Sequence, residues 1–214
     1  ADCVSSALLR GARGNSGVIL SLLFRGISKR LKGVENADAK IFAAALHDGV
    51  DAAYKAVMKP TEGTILTVAR EAVEYAVSQI TPQSTVRTFF ADLVKEMHRS
   101  LDRTPEILAV LKEAGVVDSG GAGLVCIFEG MEAALRGEVI ESEGAADSSL
   151  KETAPAAMGS FGPDSVLEYG YCTEFILQLM HAKCDIANFS LQPMIDYYES
   201  IGDSLVAVMD GDIV

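Results

Sequence analysis

Residues 10–17 are the part of the chain whose residue types and spacing best suit chemistry. They read Arg-Gly-Ala-Arg-Gly-Asn-Ser-Gly and lead directly into an apolar stretch. The first turn of a helix carries peptide N–H groups without intrahelical partners and a partial positive charge, so an anion is stabilised there. We therefore predict a phosphate-binding loop in front of a helix that begins at Val18. A loop with an N-cap and no ligand is the alternative.

Single residues within this loop support a phosphate site. Gly11, Gly14 and Gly17 can adopt positive φ and let a ligand approach the backbone closely. Asn15 and Ser16 are favoured N-cap residues, and both can donate hydrogen bonds to phosphate oxygens.

Two further glycine-bearing polar segments precede predicted helices. Residues 59–64 read Lys-Pro-Thr-Glu-Gly-Thr and precede a helix that begins at Ile65. Residues 118–123 read Asp-Ser-Gly-Gly-Ala-Gly and precede a helix that begins at Leu124. In an up-and-down bundle alternate helix starts lie at the same end, so the three loops are expected to converge on one ligand. For each loop alone, a turn with a cap is the alternative.

Composition narrows the classes of function. The chain has 214 residues and a formal net charge of −12, which argues against a nucleic-acid surface or a membrane-binding surface built from basic residues. Its four cysteines form no Cys-x-x-Cys pair, and no apolar run is long enough for a transmembrane segment. We expect a reduced, cytoplasmic protein.

Periodicity divides the chain into three parts. Residues 1–137 contain successive apolar stripes at helical spacing and predict an all-α bundle. Within it, Thr104 and Pro105 predict a helix start, and Gly115 predicts the end of that helix. Residues 138–160 predict an acidic linker, and residues 161–214 predict the start of an α/β domain. The fold class is therefore an all-α helical bundle followed by a partial α/β domain.

Within the last part, residues 169–179 and 204–209 are expected as strands on either side of a helix at 190–200. Both ends of the sequence fall inside predicted elements, so a piece of a longer protein is expected.

Three motifs in this order closely resemble the kinase domain of bacterial fatty acid kinase A subunits. They are the residues 11–20, 59–66 and 117–124. That domain is similar to the nucleotide-binding L subunit of dihydroxyacetone kinase and is therefore DhaL-like. Residues 169–175 and 202–206 resemble the start of the middle domain of the same fatty acid kinases.

The resemblance implies a barrel of eight helices with ATP at its open end. It assigns the nucleotide phosphates to the loop at Gly14, Asn15, Ser16 and Gly17. The other residues it places at the nucleotide are Gly11, Thr61, Gly63, Thr64, Asp118, Ser119, Gly120 and Gly121.

The activity implied by the resemblance is transfer of the ATP γ-phosphoryl group to a fatty acid carboxylate, which gives an acyl phosphate. A separate fatty-acid-binding protein presents the substrate. Such a reaction depends on positioning and charge neutralisation. Arg13 is the candidate catalytic residue, because a guanidinium can stabilise developing negative charge. An exposed arginine paired with an acidic neighbour is the alternative.

The chain departs from the family at its metal sites. The family binds Mg²⁺ through an Asp-Gly-Asp-Thr-Gly motif expected upstream of residue 1, so the chain is expected to have little activity alone. Asp210-Gly-Asp212 is instead expected to form a hairpin turn. Cys172 matches a cysteine that binds a structural Zn²⁺ in the family, with partner histidines expected beyond Val214.

Two other functions remain open at this point. One is a phosphotransferase of the dihydroxyacetone kinase type, and the other is a non-catalytic, nucleotide-binding regulatory module. A homodimer is one of the oligomeric states that the sequence allows.

Overall fold

The computed structural model describes residues 1–57, 59–138, 173–202, 205–209 and 211–214. These residues are predominantly helical, and they contain no β-strand, so the all-α fold class predicted for residues 1–137 is confirmed. The elements are α1 (Asp2–Gly11), α2 (Gly14–Leu31), α3 (Ala39–Ala56), α4 (Ile65–Ser78), α5 (Val86–Ile107), α6 (Ala109–Ala114), α7 (Ser119–Arg136), a 3₁₀ turn (Ile186–Asn188) and α8 (Gln192–Ile201).

The chain forms two compact units, which we describe separately. The first contains Ala1–Ala37, Ala44–Thr61 and the described residues from 173 onward. The second contains Asp38–Ala43 and the described residues from Glu62 to 138. The predicted linker at 138–160 lies, apart from its first residue, outside the described residues, so the predicted domain boundaries stay predictions. In the described parts, no helix has both the length and the apolar character needed to cross a membrane.

The core of the second unit lies between α4, α5 and α7. The predicted stripes of α4 and α5 are confirmed, because both helices bury their apolar faces. Phe90 is 2% exposed and contacts three other rings, with centroid distances of 5.2 Å to Phe42, 6.2 Å to Phe89 and 6.1 Å to Phe128. Aromatic burial on this scale contributes several kcal/mol, roughly 1.5–3 kcal/mol for each fully buried side chain.

The predicted helix start at Thr104 and Pro105 is wrong, because α5 continues through both residues to Ile107. Proline lacks an N–H, so the carbonyl of Leu101 loses its usual helical donor. The Thr104 hydroxyl replaces it and donates to that carbonyl at 2.7 Å. The helix then ends at Leu108, and the short α6 ends at Gly115, whose φ of 66° is left-handed. The predicted stop at Gly115 is thereby confirmed.

A polar cluster joins α4 to α5 beside this core. The Glu71 carboxylate accepts hydrogen bonds from the Ser100 hydroxyl and the Arg103 guanidinium, both at 2.7 Å. Arg103 also contacts the carboxylate of Glu96, which is 7% exposed. Burial raises the pKa of Glu71, but the hydrogen bonds from Ser100 and Arg103 outweigh burial and hold the pKa below its ordinary value of 4.5.

In the first unit, α2 and α3 cross at two glycines. A Cβ on Gly26 would lie 2.3 Å from the Cα of Gly49, and a Cβ on Gly49 would lie 2.4 Å from the carbonyl oxygen of Leu23. No real side chain fits at these distances, so the backbones are in direct contact and both positions require glycine. The prediction that α2 is largely buried agrees with its seven buried residues.

The described residues from 173 onward contain α8, which confirms the helix predicted at 190–200. Leu177 and Val214 exchange two backbone hydrogen bonds, at 2.8 and 2.9 Å, and the N–H of Leu179 donates to the carbonyl of Asp212. These bonds pair two extended segments antiparallel, with Gly211 in a turn at a φ of 62°. The predicted α/β domain stays a prediction, because much of it lies outside the described residues.

We expect Gly49→Ala to destabilise the protein by about 1–3 kcal/mol, because its methyl group would force α2 and α3 apart. The melting temperature measures this loss. Gly123→Ala is the control, since nothing lies within 4 Å of that Cβ position in α7 and alanine is the better helix former. Equal melting temperatures for wild type and Gly49→Ala would contradict the close contact.

Glu71 predicts a pH dependence of stability. A carboxylate whose folded pKa lies below its unfolded value contributes its full stabilisation above the unfolded pKa. That stabilisation is lost as the pH falls below 4.5 towards the folded pKa. We therefore expect Glu71→Gln to reduce the loss of unfolding free energy between pH 5 and 3, measured by urea denaturation. The exposed Glu113→Gln is the control, and an unchanged slope in Glu71→Gln would contradict the account.

Candidate functional site

The segment before α4 forms one predicted loop. α4 begins at Ile65, as predicted, with Thr64 as an extended N-cap residue that makes no side-chain cap bond. Gly63 has a φ of 82°, a left-handed conformation that favours glycine. A Cβ there would lie 2.8 Å from the Cβ of Leu108, so the loop lies tightly against the end of α5.

A buried hydroxyl holds this loop from within α4. The Thr67 side chain is fully enclosed, with the residue 1% exposed. Its Oγ1 accepts the Gly63 N–H at 2.8 Å and donates to Oε2 of Glu62 at 2.6 Å. The same carboxylate oxygen accepts a hydrogen bond from Arg70 at 2.9 Å. The sequence reasoning missed Glu62, Thr67 and Arg70, although their spacing of one helical turn and more was a usable signal.

The loop predicted at 118–123 is in fact mostly helix. α7 begins at Ser119, not at Leu124, and Asp118 is its N-cap residue, whose carboxylate accepts the Gly121 N–H at 2.7 Å. This cap forms one residue before the glycines, so Gly120 and Gly121 lie in the first turn. Gly121 is buried, and a Cβ there would meet Val68 of α4 at 3.0 Å.

The starts of α4 and α7 lie side by side at one end of α5. Gly121 contacts α4 through Val68, and Gly63 contacts Leu108 just after α5. The Asp118 N–H donates to Oγ1 of Thr104 at 3.1 Å. The second unit therefore brings two of the three predicted loops together, with the N-terminal ends of two helices adjacent. Parallel helix dipoles place partial positive charge at this location.

The third predicted loop, at residues 11–17, lies in the first unit and differs from prediction. α1 extends to Gly11 and α2 begins at Gly14, so the predicted start at Val18 is wrong. The N-cap residue is Arg13 and makes no side-chain cap bond.

The predicted caps and conformations in this loop also need correction. Asn15 and Ser16 are not N-cap residues, because they lie inside the first turn of α2. Of the three glycines, Gly14 alone has a positive φ, of 63°. This conformation lets the chain enter the helix directly, while Gly11 and Gly17 are helical.

The first N–H of α2 is bound by an acid from far along the chain. The Gly14 N–H donates to Oε2 of Glu174 at 2.5 Å. Beside this bond is a cavity of about 610 Å³ lined by the start of α2, by α8 and by extended residues such as Phe175. A carboxylate thus occupies a donor that sequence reasoning assigned to phosphate.

Arg13 is exposed at the rim of this cavity. Its guanidinium donates to the carbonyl of Ala12 at 2.7 Å. Within the part of the chain that the structure describes, Arg13 makes no ion pair, so the acidic partner considered as the alternative is not found there. Its catalytic role stays a prediction.

The predicted metal residues are not brought together in the described residues. Cys172 and Asp210 lie outside them, so the zinc assignment stays a prediction. Over the described ranges no group of three or more His, Cys, Asp or Glu residues is placed to hold a metal ion. Cys3, Cys126 and Cys184 are free thiols.

Comparison with known proteins gives matches over most of the chain. Residues 1–133 match the DAK2 domain, and residues 168–214 match the FakA-like middle domain of fatty acid kinases. The chain is 43% identical over 213 residues to protein YloV of Bacillus subtilis and 43% identical over 212 residues to SSP1546 of Staphylococcus saprophyticus. SERP0792 of Staphylococcus epidermidis is 41% identical over 212 residues.

Each alignment covers 98% of this chain but 38% of the relative. The chain therefore spans well under half the length of these curated relatives. The DAK2 match covers more than half of the chain, and the middle-domain match follows it in the order that the sequence motifs predict. The chain belongs to the DAK2 domain family, in the arrangement in which a FakA-like middle domain follows the DAK2 domain.

Proposed function

We propose that the chain is the nucleotide-binding part of an ATP-dependent kinase that phosphorylates a fatty acid carboxylate and forms an acyl phosphate. The observation that carries the proposal is the adjacent pair of helix starts, α4 and α7, at one end of α5. The membership of the DAK2 family supports kinase chemistry. The match to a fatty acid kinase-like middle domain supports the fatty acid as acceptor.

Local donors are needed because the chain as a whole repels a polyphosphate. The formal net charge is −12, so an anionic ligand must be held by peptide N–H groups and nearby cations. In this proposal the first turns of α4 and α7 bind nucleotide phosphates. The contributing residues in that unit are Gly63, Thr64, Asp118, Ser119, Gly120 and Gly121.

The start of α2 is proposed to contribute to the same function. Its residues are Gly11, Gly14, Asn15, Ser16 and Gly17, with Thr61 from the segment before α4. Arg13 is proposed to stabilise negative charge on the transferred group, since a guanidinium offers several N–H donors in one plane.

The described residues do not fit a Mg²⁺ site, because they contain no acidic cluster of three. We therefore assign no step to a metal ion and derive the chemistry from positioning alone. The bound ATP would supply the phosphoryl group, and the chain's part is to orient the phosphates. A fatty-acid-binding partner protein is proposed to present the carboxylate, in the cytoplasm.

The test uses the complete gene product with ATP, a panel of fatty acids and a fatty-acid-binding carrier protein. Acyl phosphate, trapped with hydroxylamine as the hydroxamate, is the expected product. Dihydroxyacetone is the competing acceptor. Phosphorylation of dihydroxyacetone without any hydroxamate would overturn the proposed acceptor, and ATP binding without turnover of either would favour a regulatory module.

Glu174 leads to a further prediction about this function. Its carboxylate binds the Gly14 N–H and would repel a phosphate at the same donor. We expect Glu174→Gln to bind ADP about tenfold more tightly, a gain of about 1.4 kcal/mol, in isothermal titration calorimetry. Glu199→Gln removes the same charge from exposed α8 and is the control. Unchanged or weaker binding by Glu174→Gln would contradict phosphate binding at Gly14.

A further inference from the structure

Thr67 is a buried polar residue in an otherwise apolar stretch of α4. Its neighbours Leu66, Val68 and Ala69 are all at most 3% exposed, and Thr67 itself is 1% exposed. A hydroxyl in such surroundings destabilises the fold unless it is hydrogen-bonded. Its presence therefore calls for partners close by.

Both partners of this hydroxyl lie in the segment just before the helix. Oγ1 accepts the Gly63 N–H at 2.8 Å and donates to Glu62 at 2.6 Å. The hydroxyl therefore uses its donor and an acceptor lone pair on two successive residues of the loop. Valine, which has nearly the same shape, would fill the same volume and make neither bond.

The loop is held from three directions. Thr67 binds it from within α4, Arg70 binds the Glu62 carboxylate at 2.9 Å from the next turn, and Leu108 lies against Gly63. Arg70 also pairs with Glu74 at 3.6 Å. Gly63 thereby keeps its left-handed φ of 82°, and this conformation sets the direction in which Thr64 and the first turn of α4 present their N–H groups.

We propose that Thr67 is a positioning residue for the nucleotide phosphates at the start of α4. It acts through the Gly63 peptide and the Glu62 carboxylate and does not touch the nucleotide. This inference rests on the proposed function and adds a specific residue to it. A preorganised donor binds an anion more tightly, because less freedom is lost when the ligand arrives.

The experiment compares Thr67→Val with Thr67→Ser, which keeps the hydroxyl. Val73→Ala is the matched control, since it creates a cavity in the same helix, at a residue 3% exposed, two turns away from the loop. ADP affinity is measured by calorimetry, amide hydrogen exchange is followed at residues 62–66, and melting temperatures are recorded for all variants.

We expect Thr67→Val to weaken ADP binding about tenfold and to speed exchange at Gly63 by a similar factor, while Thr67→Ser stays within about twofold of wild type. Val73→Ala is expected to lower the melting temperature with little change in either property. Should Thr67→Val fail to fold, Glu62→Gln provides the test, because it weakens the same network at a surface position, with a smaller loss of affinity expected.

Three outcomes would overturn the inference. Wild-type affinity in Thr67→Val, or in Glu62→Gln if that variant must stand in, would show that the hydroxyl network does not position the site. Equal losses in Val73→Ala would show a general effect of stability. ADP binding absent from the wild type would overturn the proposed function together with the inference, whereas the first two outcomes leave the proposed function intact.

Discussion

The hydroxyl of Thr104 is the interaction on which the arrangement at the end of α5 depends. Pro105 deprives the Leu101 carbonyl of its helical donor, and Thr104, fully buried, supplies one at 2.7 Å. The same oxygen accepts the Asp118 N–H at 3.1 Å and so fixes the residue that caps α7. One side chain thus lets α5 pass its proline and sets where the next long helix begins.

Buried threonines and tightly packed glycines share the work of placing the two helix starts. Thr67 holds the loop before α4, and Thr104 holds the cap of α7. Gly63 and Gly121 allow the close contacts that bring these segments against α5 and α4. In a chain with a net charge of −12, a rigid array of peptide donors is the physical means by which an anion can be held without a basic surface.

Local signals predicted much of this fold, and long-range contacts account for what they missed. The start of α4 after Thr64 and the helix stop at Gly115 depend on residues within one turn, so the sequence predicted both. Glycines were interpreted as loop residues before α7, but the cap formed earlier, at Asp118. The bond between Gly14 and Glu174 spans 160 residues, and no local pattern indicates it.

The central claim is that the starts of α4 and α7 bind the same phosphate-bearing ligand. Backbone amide chemical shifts, recorded while ADP is added to the labelled protein, test it most directly. The account predicts that the amides of Gly63, Thr64, Gly120 and Gly121 shift together and saturate at a common concentration. Saturable ADP binding that leaves these four amides unchanged would contradict it.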